Sequence, residues 1–142
     1  MTRLLLVDDD QDDIDLFTEA AGSVSKSIHC TRAGDGLDAL HQLALMSDHP
    51  DLIFLDLNMP RMNGWEFLSR LKNRDVLKDI PVIIYSTTNN NQAVDTAMKA
   101  GAICFVTKPD NFKFLQRMLR VVQQHIEEGR LGQLCNAIRE QR

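Results

Sequence analysis

The stretch LLLVDDD, residues 4–10, decides the fold: four apolar residues, enough for a short strand, run straight into three carboxylates. The same design of apolar run and polar terminus returns at Leu52–Leu55 before Asp56, at Val82–Tyr85 before Ser86 and Thr87, and at Ile103–Val106 just before Lys108 and Pro109. Runs this short and this apolar suit strands covered on both faces. In an open parallel α/β sheet the carboxyl ends of the strands line one crevice, so residues far apart in sequence meet there. Asp8, Asp9, Asp56, Ser86 and Lys108 would then surround one small space. Three carboxylates, a hydroxyl and an ammonium make an acidic pocket for a divalent cation, with one carboxylate left to accept a phosphoryl group.

Working outward, strands are expected near residues 3–7, 28–32, 52–55, 82–85 and 103–106, with helical periodicity between them. That alternation predicts a doubly wound five-stranded parallel sheet with helices on both faces, in the flavodoxin-like order 2-1-3-4-5. Ile28 to Arg32 alternates apolar with polar residues and reads as an edge strand. Ile14, Phe17 and Ala21 form one helical stripe, Leu37, Leu40 and Ala44 a second, and Trp65, Leu68 and Leu71 or Lys72 a third. Asp10 is placed to cap the first helix, with Asp12 and Asp13 in its first turn, where the helix dipole favours negative charge. Gly22 and Gly101 stand where helix ends tolerate positive φ. Asn63-Gly64 resembles a hairpin signal, but a helix-period segment follows, so it is read as a loop end and helix start.

The chain has 142 residues, 44% hydrophobic and 25% charged, which fits one globular domain. No apolar run is long enough to span a bilayer or form a signal-peptide core, which argues against secretion and membrane insertion. A net charge of -4 without a basic cluster argues against nucleic acid. Cys30, Cys104 and Cys135 are widely spaced, lack metal-type grouping and are read as separate reduced thiols. The four histidines show no metal spacing either.

Charge arithmetic supports the pocket. Asp8, Asp9 and Asp56 carry three negatives, which one Mg2+ and Lys108 would balance. Hard oxygen ligands suit Mg2+, with Mn2+ as the alternative, and without metal the carboxylates would repel an incoming phosphate. Asp56 is then the nucleophile.

LLLVDDD (4–10), DLIFLDLNMPRMNG (51–64), IPVIIYST (80–87) and AGAICFVTKP (100–109) together resemble the receiver domains of bacterial two-component response regulators. The resemblance covers about residues 3 to 127, and LVDDDQDDIDLF is most similar to the small stand-alone regulators of phytochrome-type sensor kinases. It implies a receiver at 1–128 and a C-terminal helical extension at 129–142 that is not a separate domain. It also implies a cytoplasmic signalling domain, not an enzyme with a turned-over substrate, phosphorylated on Asp56 by a histidine kinase or phosphotransfer protein.

In this reading Asp9 and Asp56 bind the metal through carboxylates, Asn58 through its backbone carbonyl and Asp8 through water. Lys108 holds a phosphoryl oxygen, and Ser86 draws the following loop inward, with Thr87 the neighbouring hydroxyl. Phe105 is the aromatic switch, and Asn58 and Thr88 flank the path of hydrolytic water. The resemblance further implies a cis Lys108-Pro109 bond.

Three other readings compete, of which a phosphorylation-independent interaction domain is disfavoured by the presence of every chemical residue. A flavin or nucleotide binder of this fold presents Gly, Ser or Thr amides after its first strand, where this chain has aspartates. An aspartyl-phosphate phosphatase would carry a second carboxylate two residues after its nucleophile, where this chain has Asn58.

The last helix offers two apolar stripes, Phe112, Leu115, Leu119, Val122 and Ile126, and beside it Phe114, Met118 and Val121. The first suits the core; the second suits a partner. Leu131, Leu134, Cys135 and Ile138 form another stripe that a continuous helix would turn away from both. Two outcomes are open: a bend near Gly129–Gly132 with the tail packing back, or a homodimer through the last helix and tail.

Overall fold

A computed structural model describes all 142 residues. Five strands form one parallel sheet: β1 (Thr2–Val7), β2 (Ile28–Ala33), β3 (Leu52–Leu55), β4 (Val82–Ser86) and β5 (Cys104–Thr107), in the order β2-β1-β3-β4-β5. Between and after them run α1 (Gln11–Val24), α2 (Gly36–Leu45), α3 (Gly64–Lys72), α4 (Asn91–Lys99) and α5 (Phe112–Glu127). A 3-10 turn at Leu131–Gln133 leads into α6 (Leu134–Glu140). The order and the edge position of β2 agree with the sequence reading.

The sheet divides the apolar residues by parity, because successive strand side chains point to opposite faces. Leu4, Leu6, Phe54, Tyr85, Cys104 and Val106 pack against α1, α5 and α6 on one face. Leu5, Val7, Ile53, Leu55 and Ile84 pack against α2 and α3 on the other. Phe17, Phe54 and Tyr85 meet edge to face in the first layer, with centroids 5.0 to 5.9 Å apart.

Asp10 caps α1 as the sequence predicts, and Asn63 caps α3 where a loop end and helix start are expected. Asp10 accepts from the Asp13 amide at 3.0 Å, and Asn63 accepts from the Glu66 amide at 3.0 Å. Gly101 ends α4 with φ 106°, but Gly22 lies inside α1, which runs on to Val24. The α2 stripe also differs from expectation: Ala39, Leu40 and Leu43 face the core, whereas Leu37 is 44% exposed and Ala44 is exposed. Gly36 causes the rotation. Its amide donates to the Met62 carbonyl at 3.0 Å, and a Cβ there would come within 2.9 Å of that oxygen. This close approach turns Leu37 outward.

The C-terminal segment packs back on its own body. Gly129, at φ 67°, lets the chain reverse. Leu134 and Ile138 are then buried beside Phe114 and Met118. The stripe read as a partner surface is therefore largely covered by the tail, with Val121 left half-buried. Cys104 and Cys135 form a disulfide, contrary to the expected separate thiols, and Cys30 alone is free. Spacing could not reveal the pair, since only the reversal after α5 brings α6 onto β5.

Candidate functional site

The site lies at the carboxyl edge of the sheet, and local structure explains why each side chain is there. β1 ends at Val7, and the chain turns through Asp8 and Asp9 before Asp10 caps α1. Asp56 follows β3 directly, and its amide donates to the Val7 carbonyl at 2.9 Å, extending the β1–β3 pairing. Gly64 approaches so closely that a Cβ would stand 2.3 Å from the Asp56 carbonyl oxygen. Only glycine lets α3 start against the loop after Asp56.

Carboxylate oxygens of Asp8, Asp9 and Asp56 lie within 4.8 Å of one another. Asp8 and Asp56 are buried and Asp9 is exposed, so the cluster opens to solvent on the Asp9 side. Lys108 Nζ stands 2.8 Å from Asp8 Oδ2, 2.8 Å from Asp13 Oδ2 and 3.5 Å from Asp56 Oδ2. Burial would lower the Lys108 pKa, but Asp13 and Asp8 outweigh it and hold the ammonium above its ordinary range. The lysine is therefore a fixed positive charge.

Burial pushes the Asp8 carboxyl up to about 6, against the opposing pull of Lys108 and the Asp10 amide, with Asp56 adding repulsion. Asp8 Oδ1 accepts from that amide at 3.0 Å. Asp8 Oδ2 is buried and, despite its ion pair with Lys108, accepts no aligned hydrogen bond. A buried carboxylate oxygen in that state, beside two further carboxylates, suits a hydrated hard cation.

Around the cluster, Ser86 is fully buried at the end of β4, and its Oγ accepts from the Thr88 amide at 3.3 Å. Thr87 is exposed, so Ser86 is the inward hydroxyl of the pair. Its carbonyl accepts from the Lys108 amide at 2.9 Å, joining the two strand ends. Asn58 is exposed and donates from Nδ2 to Thr88 Oγ1 at 3.2 Å, bridging the loops after β3 and β4. Phe105 is half-buried on the α2–α3 side of the sheet. Trp65, Asn58 and Thr88 line a shallow cleft beside the cluster.

Two findings modify the sequence reading. Asp13, taken only as a first-turn acid, contacts Lys108, a partner 95 residues away that no local sequence signal marks. The Lys108-Pro109 bond is trans, as is every peptide bond in the chain, which overturns the cis expectation. Trans is favoured by about 0.5–1 kcal/mol for X-Pro, and the ammonium already reaches Asp8 and Asp13 without a cis bond.

A second ion pair, between the buried Asp35 and the exposed Arg61, braces the loop after β3. Asp35 caps α2 and accepts from Arg61 Nε at 2.5 Å. Burial would raise its pKa, but the Asp38 amide and Arg61 together hold it below the usual carboxylate value. Arg61 has φ 58°, a left-handed conformation uncommon outside glycine. The pair fastens the loop after β3 to the start of α2.

Residues 4–120 match the family model of the response regulator receiver domain. Response regulator Rcp1 from Synechocystis is 31% identical over 125 residues, covering 84% of this chain and 85% of that protein. The Mn2+-bound form of Rcp1 superposes with a TM-score of 0.76 at 31% identity, covering 87% of this chain and 93% of the other. A phosphorylated cyanobacterial phytochrome response regulator, RcpA, superposes at 0.80 with 28% identity, covering 90% and 95%. With its five parallel strands in the order 2-1-3-4-5 and its carboxylates and lysine at their ends, the chain belongs to the response regulator receiver domain family of two-component signalling.

Proposed function

We propose that Asp56 accepts a phosphoryl group from the phosphohistidine of a sensor histidine kinase or phosphotransfer protein, and that this changes the surface offered to a downstream partner. The carrying observation is the clustering of Asp8, Asp9 and Asp56 within 4.8 Å, with Lys108 wedged against them. Phosphoryl transfer requires positioning and charge neutralisation above all, and this arrangement supplies both. An Asp56 oxygen attacks phosphorus, the P–N bond breaks, and its electron pair stays on the imidazole as the acyl phosphate forms.

Asp9, Asp56 and the Asn58 carbonyl, with Asp8 through water, would hold Mg2+ or alternatively Mn2+. Once bound, the ion would neutralise charge on the phosphoryl oxygens. The clustered carboxylates of Asp8, Asp9 and Asp56 and the Mn2+-bound form of the relative Rcp1 support this assignment. Lys108 trades its contacts with Asp13 and Asp8 for a phosphoryl oxygen. Ser86 turns its hydroxyl to the phosphate and draws in the Thr87–Asn91 segment, and Phe105 follows inward. Asn58 and Thr88 border the approach of hydrolytic water.

Residues 1–128 form the receiver and 129–142 an extension of it, and the protein acts in the cytoplasm beside its kinase. It is a signalling domain that catalyses its own phosphorylation and dephosphorylation. An acidic chain with no basic face does not offer nucleic acid a docking surface. A homodimer through α5 and the tail would use what the tail leaves uncovered, chiefly Val121 and the exposed side of α6.

Intact mass after incubation with acetyl phosphate or phosphoramidate tests the reading. One phosphoryl group is expected with Mg2+, and none in EDTA or in Asp56→Asn. Labelling of Asp56→Asn, or full labelling in EDTA, would sink it.

A further inference from the structure

Cys104 and Cys135 join two parts of the chain that carry different duties. Cys104 is buried at 1% exposure in β5, immediately before Phe105 and four residues before Lys108. Cys135 is half-buried in α6, 31 residues further on, with the two Cα atoms 5.3 Å apart, inside the range a disulfide spans. The bond therefore ties the tail to the strand that bears the switch aromatic and leads into the site lysine.

The tail is held by more than this bond. Leu134 and Ile138 are buried, the Arg142 guanidinium lies 5.0 Å from the Phe114 ring centroid, and it donates to the Thr107 carbonyl at 3.2 Å. Arg117 donates to the Gln141 carbonyl from α5. Contacts other than the disulfide thus also hold α6 against α5 and β5 and favour the approach of the two sulfurs. Cys30, the third thiol, lies in β2 at the opposite edge of the sheet, and burial pushes its pKa up to about 11. It is poorly placed to compete.

We infer that Cys104 and Cys135 are a reversible oxidation site for a low-molecular-weight disulfide of the glutathione class, and that its closure locks the tail onto β5. In the cytoplasm proposed above, lasting structural disulfides are rare and those that form are mostly transient or redox-sensing. The more accessible Cys135 reacts first. Its thiolate attacks one sulfur of the small disulfide and expels one thiolate, giving a mixed disulfide. The Cys104 thiolate then attacks Cys135 Sγ and releases the second thiolate. Overall, two protein thiols and one small disulfide give one protein disulfide and two small thiols, so the electron pair ends on the small molecule. A dithiol reductant runs the exchange backward.

Full-length protein equilibrated in oxidised and reduced glutathione mixtures, acid-quenched, unfolded and alkylated provides the test, together with hydrogen exchange of residues 100–109 and 130–142. Neither readout uses phosphorylation of Asp56, so its result stands apart from that of the proposed function. Oxidised protein should take one alkyl label, at Cys30, and reduced protein three. Exchange in the tail should be several-fold slower when oxidised. Cys135→Ala, at a half-buried position, should take two labels in every mixture and exchange like the reduced parent. Three labels in oxidised glutathione alone, a covalent dimer through Cys30, or equal tail exchange in both states would overturn the inference.

Discussion

At the scale of single residues, neighbouring aspartates have different duties. Asp9 faces the open side of the cluster, so Asp9→Ala should weaken Mg2+ binding strongly while leaving the fold intact, as titration of Trp65 fluorescence would report. Asp10 points away and caps α1, so Asp10→Ala should cost about 0.5–2 kcal/mol of stability with metal affinity retained. Asp13 holds Lys108, yet its side chain is 36% exposed, and such a partly solvated pair is worth up to about 1 kcal/mol. Asp13→Asn should therefore speed acetyl-phosphate labelling by no more than about five-fold, since Lys108 has one fewer partner to leave. Gly64→Ala would drive a Cβ to within 2.3 Å of the Asp56 carbonyl. Overpacking of this kind costs about 1–3 kcal/mol, and the urea midpoint should fall while labelling slows.

At the scale of elements, α4 is anchored less firmly than its neighbours. It buries only Ala97, whereas α3 buries Phe67, Leu68 and Leu71, and Met98 remains 40% exposed. Few buried apolar contacts imply a low local opening free energy, which suits an element beside the Thr87–Asn91 segment that the proposed switch would move. Amides of α4 should exchange faster than those of α3 and α5. Ser86 is the buried hydroxyl at the head of this segment. Ser86→Ala should leave Asp56 phosphorylation in place but uncouple it from the movement of residues 87–91. Equal phosphorylation-induced chemical-shift changes at Phe105 in mutant and parent would count against that coupling.

At the scale of the whole molecule, the tail completes a core layer. Removing residues 130–142 would uncover Phe114 and Met118 and delete the burial of Leu134 and Ile138. A fully buried aliphatic side chain contributes about 1.5–3 kcal/mol, so truncation should lower the melting temperature markedly. Sedimentation of the truncated chain should show increased self-association through the bared stripe. Unchanged melting and sedimentation would mean that the tail contributes nothing to this layer.

The strands, their order, the Asp10 cap and the makeup of the acidic cluster were legible in the sequence, and the physical reason is locality. Apolar runs such as Leu4–Val7 and Leu52–Leu55 carry their burial in their own composition. Parallel pairing then sends every polar terminus to one edge, which brings Asp8, Asp56 and Lys108 together without knowledge of any side-chain contact. What the sequence left open depends on rotation and reversal. The face α2 buries was set by Gly36 against Met62, and the Asp13 contact with Lys108 by the docking of α1 on the sheet beside α5, which brings its first turn to the lysine. The trans Lys108-Pro109 bond, the covering of Phe114 and Met118, and the Cys104–Cys135 pair follow from contacts between segments that share no local pattern. Only the folded chain brings those segments within reach, so tertiary structure alone decided them.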